Sequence, residues 1–290
     1  MHKGLILSGG NGSRLYPLTH SVSKQLIPVY NKPMIYYPLS TLMLGGIREI
    51  LIITTPKDNS SFKSLLGDGS HLGINIQYEI QPKAEGLAQA LLIGEKFINE
   101  QPVALILGDN LFHGNELINT LINVGKREKG ATVFAYRVSN PEDYGIVKIK
   151  EGKIINIEEK PKNPSSNYAL TGLYFYDNTA VEKAKSIKFS IRGELEITEL
   201  NNLYLAENNL NLEIMGRGIA WFDTGTFDTL QEASIYVKTL EKRQGHKIGS
   251  PEEIAWRKGW ITDEQFEFLA LKYKHNNYGK NLLNLINEKI

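Results

Sequence analysis

Apolar residues are arranged along this chain with two different periods. Residues 5–7, 50–54, 103–107 and 132–137 form short unbroken runs rich in β-branched side chains, the length of strands buried on both faces. Between them, residues 34–44 and 87–98 carry apolar positions at helical spacing. Pro38 predicts a kink or a late start in the first of these helices, and Gly45-Gly46 ends it. Strand and helix in alternation predict an α/β fold, a mainly parallel open sheet flanked by helices. Past residue 138 the pattern changes. Residues 146–158 read as a hairpin turning at Glu151-Gly152, 173–176 as a strand, 197–207 as a helix, and 212–215 and 219–222 as strands. The remainder is helical: a helix over 226–241, then Ser250-Pro251-Glu252-Glu253 and Thr262-Asp263-Glu264-Gln265 as capping boxes, the first with proline at the opening position. The expected organisation is an α/β core over 1–245, in two sides of about 1–137 and 138–245, and a small helical appendage over 246–290.

Directly after the first strand comes Gly9-Gly10-Asn11-Gly12-Ser13-Arg14-Leu15. Three glycines in four residues leave backbone with no Cβ to hold a ligand away, so several N–H groups can point at one phosphate. Arg14 adds a guanidinium fork, and Lys24 in Ser23-Lys24-Gln25-Leu26-Ile27-Pro28 adds an ammonium. Such a set suits the phosphates of a nucleoside triphosphate. A P-loop is excluded because no Lys-Ser or Lys-Thr follows the glycines. The dinucleotide fingerprint is excluded because Leu15 takes its third glycine position and no acidic residue ends a second strand where one is needed. For the glycines alone, a plain chain reversal remains the alternative.

These residues resemble the signature of sugar-1-phosphate nucleotidylyltransferases, G-G-x-G-x-R-L followed by K-x-x-x-P. The likeness continues through Asn31-Lys32-Pro33-Met34-Ile35-Tyr36-Tyr37-Pro38, Gln81-Pro82, Gly86-Leu87-Ala88-Gln89-Ala90, Gly108-Asp109-Asn110, Glu158-Glu159-Lys160-Pro161, Arg192-Gly193-Glu194-Leu195-Glu196-Ile197-Thr198 and Trp221-Phe222-Asp223-Thr224-Gly225-Thr226. It spans essentially the whole chain and is similar to the members that join dTTP to glucose 1-phosphate. The resemblance implies a Rossmann-like sheet with a nucleotide side (about 1–137) and a sugar side (about 138–245), and an enzyme making dTDP-glucose and pyrophosphate at the start of dTDP-rhamnose formation.

A phosphate monoester is largely a dianion at neutral pH, its second pKa being about 6, so the attacking oxygen needs no general base. The absence of a nucleophile–base pair in the sequence agrees with that chemistry. Asp109 and Asp223 each end a strand and can hold Mg²⁺; from the residues alone each fits a helix cap or loop equally well. The resemblance implies that both are metal ligands and that Arg14, Lys24, Asp109, Lys160 and Arg192 carry catalysis. It also implies substrate contacts from Gly9, Gly10, Gly12, Ser13, Gln25, Gln81, Gly86, Gly108, Asn110, Gly145, Glu159, Thr171 and Tyr174. Gln81 offers a donor and an acceptor to the imide edge of thymine, and Gly86 lets backbone approach the base. Without the family, Glu159, Lys160 and Arg192 read as a solvated charged edge, and Gln81 as an ordinary loop residue.

The chain has 290 residues, 41% of them hydrophobic, with 33 basic and 32 acidic residues. A net charge of +1 gives no field to gather nucleic acid, so phosphate binding must be local. Cysteine is absent, which excludes disulfide and thiol chemistry and agrees with a cytoplasmic setting. Met1-His2-Lys3 runs straight into the first strand, so no signal peptide is expected, and no apolar stretch nears the roughly 20 residues of a membrane span. The six histidines show no metal-ligand spacing. Beyond the catalytic motifs, the resemblance implies a homotetramer with dTDP-rhamnose as feedback inhibitor. Its site would be formed by Gly114, Glu116, Arg217, Ile254 and Arg257; the alternative is that Trp256 and Trp260 pack a subunit interface. Competing functions are transfer with another base or sugar 1-phosphate, and a non-catalytic sugar-nucleotide-binding regulator, which should have lost one of Arg14, Lys24, Asp109 or Asp223.

Overall fold

Lys3–Ser8 is the strand on which the rest is hung. In the computed structural model, which describes residues 2–288, it pairs in parallel with Glu49–Thr54 (Leu5 beside Leu51) and with Val103–Leu107 (Leu5 beside Leu105). Asn75–Ile80 extends the first side, also parallel. Side chains alternate between faces, as a period of two requires. Ile6, Ile50, Ile52 and Ile106 pack with the helix Tyr36–Leu44 in one buried cluster. Leu5, Leu7, Leu51 and Leu105 pack with Ala90, Leu91, Leu200 and Tyr204 in another.

Beyond Val103–Leu107 the sheet reverses direction. Tyr168–Tyr176 runs antiparallel to it and to Ala131–Arg137, and meets the hairpin Gly145–Lys150/Lys153–Glu159 where Ala169 faces Ile146. Leu210–Ile214 lies parallel to Ala131–Arg137 and completes a mixed nine-stranded sheet. The register of Tyr168–Tyr176 slips between Leu170 and Tyr174, so Thr171 and Gly172 leave the ladder with Ala131–Arg137. Two small ribbons, Leu111–Gly114 with Ile219–Phe222 and Pro28–Val29 with Lys32–Pro33, stand apart from the main sheet.

The first helix starts late, as Pro38 predicts: it falls in the opening turn of Tyr36–Leu44, where a missing N–H breaks no bond. The expected single helix over 87–98 is corrected to two, Gln89–Ile93 and Glu95–Ile98, meeting at Gly94. There a Cβ would stand 3.2 Å from Leu5 Cδ2, so the chain turns over the central strand at its one residue without a side chain. Phe227–Gln244 has a full capping box from Thr226 and Thr229 and ends at Gly245, φ 78°. Three helices follow: Pro251–Arg257, Asp263–Lys272 and Asn277–Asn287. The box at Ser250 is half made. Its hydroxyl caps Glu253 N, but the Glu253 carboxylate accepts from Arg257 Nε at 2.8 Å instead. These helices share a core with the sheet, since Ala255, Phe266, Leu269 and Leu282 belong to the cluster of Leu39 and Phe62. Trp256 stacks on Phe266 within the chain. No helix among the described residues is long and apolar enough to cross a membrane.

Candidate active site

The parallel strands end together, and the glycine loop starts there. The space a Cβ would take at Gly9 is filled by Gln81, whose Oε1 stands 1.8 Å from that point. Gly12 adopts φ 61°, and its carbonyl accepts from Thr19 Oγ1 at 2.7 Å, which locks the turn. Ser13–Leu15 then forms one turn of 3₁₀ helix that buries Leu15 and sends Arg14 over Gly225, where a Cβ would lie 2.7 Å from Nη2. Gly10 and Ser13 are exposed, with open space around Gly10.

Gly108 lets the Val103–Leu107 strand run on past its neighbour, for a Cβ there would lie 2.2 Å from Ser8 Oγ and 3.0 Å from Gln25 Cγ. The next residue, Asp109, forms an ion pair with Lys24 and accepts from Asn110 Nδ2 at 3.1 Å. Asn110 Oδ1 in turn accepts from Trp221 Nε1 (2.7 Å) and Gly172 N (3.1 Å), while Thr224 Oγ1 donates to the Asp109 carbonyl (2.6 Å). These bonds tie residues 109–110 to 221–224, so Asp109 and Asp223 open into one cavity. Burial, and then the Asp109 charge, push the Asp223 carboxyl above the usual carboxylate range against the pull of Arg14 and Lys24.

That cavity has a volume of about 300 Å³. Arg14, Asp109 and Asp223 line it together with Glu159, Lys160 and Arg192 from the antiparallel half. Glu159 Oε2 accepts from Thr198 Oγ1 at 2.6 Å. Arg192 lies against the Glu196 carboxylate, with Nε donating to Oε1 (3.0 Å) and Nη2 to Oε2 (2.7 Å), and Glu159 and Glu194 each stand 3.4 Å from Nη2. Lys160 leaves the hairpin with φ 42°, in the left-handed region, which turns the chain at the cavity mouth.

The cavity thus gathers Arg14, Asp109, Asn110, Gly145, Glu159, Lys160, Tyr174, Arg192 and Asp223 from the expected set, with Lys24 paired to Asp109 behind them. Gly9, Gly10, Gly12, Ser13, Gln25, Gln81, Gly86 and Gly108, expected at the substrates, are not among its lining residues. Gln81 is buried, and its Nε2 donates to Gln89 Oε1 at 2.6 Å. Gly86 has φ 104° and a Cβ site 2.4 Å from the Leu195 carbonyl, so a close crossing of two chain segments requires glycine there. Thr171 is fully buried, and its hydroxyl has no partner among the described residues. Gly114, Glu116 and Arg217 come together at the small ribbon, where Gly114 pairs with Ile219 and Glu116 approaches Gly216. Ile254 and Arg257 lie on the helix Pro251–Arg257. Sequence reasoning assigned no part to Glu196 or Thr198, although both stand in the Arg192–Thr198 motif, Glu196 four residues from Arg192; nor to Tyr144, which lines the cavity and tilts against Trp221. Among the described residues no group of three or more His, Cys, Asp or Glu could by itself hold a metal; Asp109 and Asp223 line the cavity together with Arg14 of the glycine loop.

The profile of the family described as nucleotidyl transferase matches residues 3–239. The chain belongs to that family. This nucleotidyl transferase is 56% identical over 285 residues to the glucose-1-phosphate thymidylyltransferase of Neisseria meningitidis, covering 98% of this chain and 99% of the relative. It is 57% identical over 281 residues to that of Xanthomonas campestris, covering 97% and 95%. A solved Bacillus anthracis structure assigned as a glucose-1-phosphate thymidylyltransferase, in complex with sucrose, superposes with a TM-score of 0.76 at 42% identity, covering 81% of this chain and 95% of that one.

Proposed function

We propose that this chain transfers a thymidylyl group from dTTP to glucose 1-phosphate, releasing pyrophosphate and forming dTDP-glucose, the first step toward dTDP-rhamnose. The observation that carries the reading is the single cavity that joins Arg14, Asp109 and Asp223 to Glu159, Lys160 and Arg192. Its relatives of matching length, named glucose-1-phosphate thymidylyltransferase, support the choice of substrates.

The sugar phosphate enters as a dianion and attacks the α-phosphorus directly, so the protein's task is to hold two polyanions in line and offset their charge. Arg14 and Lys24 take the triphosphate, with the backbone of Gly9, Gly10, Gly12 and Ser13 beneath it. Lys160 and Arg192 take the sugar phosphate. Glu159, with Oε2 bonded by the Thr198 hydroxyl and Oε1 3.4 Å from Arg192 Nη2, accepts from sugar hydroxyls. Gln81, beside Gly9, and Gly86, at the crossing with Leu195, meet the base. Asp109 and Asp223 would hold Mg²⁺. They fit it as hard oxygen donors opening into one cavity, where burial and then the Asp109 charge raise the Asp223 carboxyl, a cost that a cation relieves. Bound there, Mg²⁺ supplies positive charge to the phosphate oxygens. Pyrophosphate release measured over four nucleoside triphosphates and several sugar 1-phosphates, with and without Mg²⁺, should be fastest for dTTP with glucose 1-phosphate and should require the metal. A faster pair, or metal-independent turnover, overturns the reading.

The same reading includes a cytoplasmic homotetramer restrained by dTDP-rhamnose at a second site. Arg217 and Arg257 are exposed guanidinium groups of the kind that suits a diphosphate, and the helix after Arg257 opens with a full capping box at Thr262. Arg257→Ala should relieve inhibition by dTDP-rhamnose while leaving uninhibited turnover unchanged. Inhibition that stays competitive with dTTP and undiminished in the variant removes the second site.

A further inference from the structure

Glu196 is a buried carboxylate that the reaction chemistry does not employ. It stands one residue before Ile197–Ala206, in the N-cap position, yet its side chain caps nothing. Both oxygens face Arg192 instead: Oε1 takes Nε at 3.0 Å and Oε2 takes Nη2 at 2.7 Å, the fork geometry in which a guanidinium is held most firmly. Ser190 Oγ donates to the same Oε1 at 2.8 Å and fixes the carboxylate from behind. The Arg192 backbone is held too, its N–H donating to Ser190 Oγ at 3.1 Å. Arg192 itself is largely exposed and sits on a loop that turns at Gly193, φ 73°. A long side chain on such a loop has many rotamers, and ordering one costs conformational entropy.

We infer that Glu196 is a positioning residue for the sugar-phosphate site: it grips one edge of the Arg192 guanidinium so that Nη1, which makes no hydrogen bond among the described residues, faces the incoming phosphate. This rests on the assignment of Arg192 to the sugar phosphate made above. Glu196 also decides between competing acceptors. Glu159 and Glu194 both lie 3.4 Å from Nη2. Nη2 already reaches Glu159 Oε1 at that distance; with Glu196 gone nothing opposes a tighter contact, in which a sugar-hydroxyl acceptor and a phosphate cation would neutralise each other. The loop is further anchored next door, where Leu195 N donates to the Glu85 carbonyl at 2.7 Å and Ala88 N donates to the Leu195 carbonyl at 3.1 Å. The cation's base is therefore rigid and only its fork needs holding.

The test is a double-mutant cycle read in steady-state pyrophosphate release. Glu196→Gln keeps the volume and removes the charge; it should raise KM for glucose 1-phosphate roughly 10-fold or more and lower kcat, with KM for dTTP changed less than about 2-fold. In an Arg192→Ala background the same substitution should add nothing, because the group it positions is gone. Glu196→Asp, which keeps the charge one methylene short, should recover part of the loss. Thermal melts of each variant separate folding from function. If Arg192→Ala itself leaves KM for glucose 1-phosphate unchanged, the assignment of Arg192 fails. If Arg192→Ala raises that KM but Glu196→Gln does not, or Glu196→Gln costs as much without Arg192 as with it, the positioning role fails. A loss shared equally between the two substrates' KM values also overturns it.

Discussion

Two buried lysine–carboxylate pairs, Lys24–Asp109 and Lys32–Glu241, differ in how well their charges are satisfied. Lys32 and Glu241, with side chains 3% and 1% exposed, are complete. Glu241 accepts from Lys32 (2.9 Å), Lys247 (2.9 Å), Asn31 Nδ2 (2.7 Å) and the Ile248 N–H (3.1 Å), and Lys32 also reaches Asn31 Oδ1 and Tyr37. Lys24 and Asp109 are also largely buried, but beside them stands Asp223, with no ion pair among the described residues and a carboxyl pushed up by burial and by Asp109. Burial of charge alone therefore marks no site. The first cluster ties the Lys32–Pro33 strand to Phe227–Gln244 and has no capacity left; the second leaves one carboxylate, Asp223, without an ion pair and facing a cavity. An unbalanced buried charge persists where a ligand is to balance it.

The largest effect should come from the unbalanced cluster. Asp109→Asn and Asp223→Asn should each lower kcat by roughly 10²–10⁴-fold while the far-UV circular dichroism stays that of the parent. Near-parental rates in either variant at saturating Mg²⁺ would show that the two carboxylates do not act as a pair.

The balanced cluster should behave in the opposite way. Glu241→Gln strands Lys32 without its counter-ion and should cost about 3–5 kcal/mol of stability, read by denaturant melts, with turnover per folded molecule unchanged. Burial alone would push the Glu241 carboxyl up, but Lys32, Lys247 and the Ile248 N–H bring it below the usual range. A depressed carboxyl contributes stability above its unfolded pKa and loses it as pH falls through the folded one. The parent should therefore lose stability on acidification more steeply than Glu241→Gln does. Parallel acid-unfolding curves would mean that Glu241 is not held ionised by its partners.

The same contrast explains what the sequence disclosed. The parallel strands were legible because each is a continuous apolar run, and the glycine loop because glycine tolerates conformations other residues avoid. Leu111–Gly114 escaped notice: it is four residues long and pairs only with Ile219–Phe222, more than a hundred positions away. The break at Gly94 is set by Leu5 on the central strand, a contact the helical period cannot reveal. Within the site, Asp109 and Asp223 were readable as strand-end acids. The satisfied cluster at Glu241 was not separable from a surface charge, since its partners come from residues 31, 32, 247 and 248. Glu196 and Thr198 stood within a motif already singled out, but only the fold shows what they face. Chemistry that depends on local spacing can be read along the chain; chemistry that depends on which charges stay unpaired needs the folded contacts.

The smallest expected effect is the most direct measure of imbalance. A carboxyl whose folded pKa is raised binds protons more tightly in the native state than in the unfolded one, so holding it ionised costs stability. For Asp223 that cost is absent below the unfolded carboxyl pKa, grows as pH rises through the folded pKa, and is fully present above it. Asp223→Asn removes the charge at every pH. The inactive variant should therefore be more stable than the parent at neutral pH, by roughly 0.5–2 kcal/mol, as is common when a functional site is relieved of its electrostatic strain. The gain should shrink as the pH is lowered and the parent's own carboxyl becomes protonated. Adding Mg²⁺ should narrow the difference from the other direction, because a cation bound to the parent balances Asp223 and stabilises the native state by mass action. Thermal melts of both proteins at neutral and acidic pH, with and without Mg²⁺, give the four comparisons required. A variant less stable than the parent at neutral pH would place Asp223 with Glu241, among charges the fold has already satisfied.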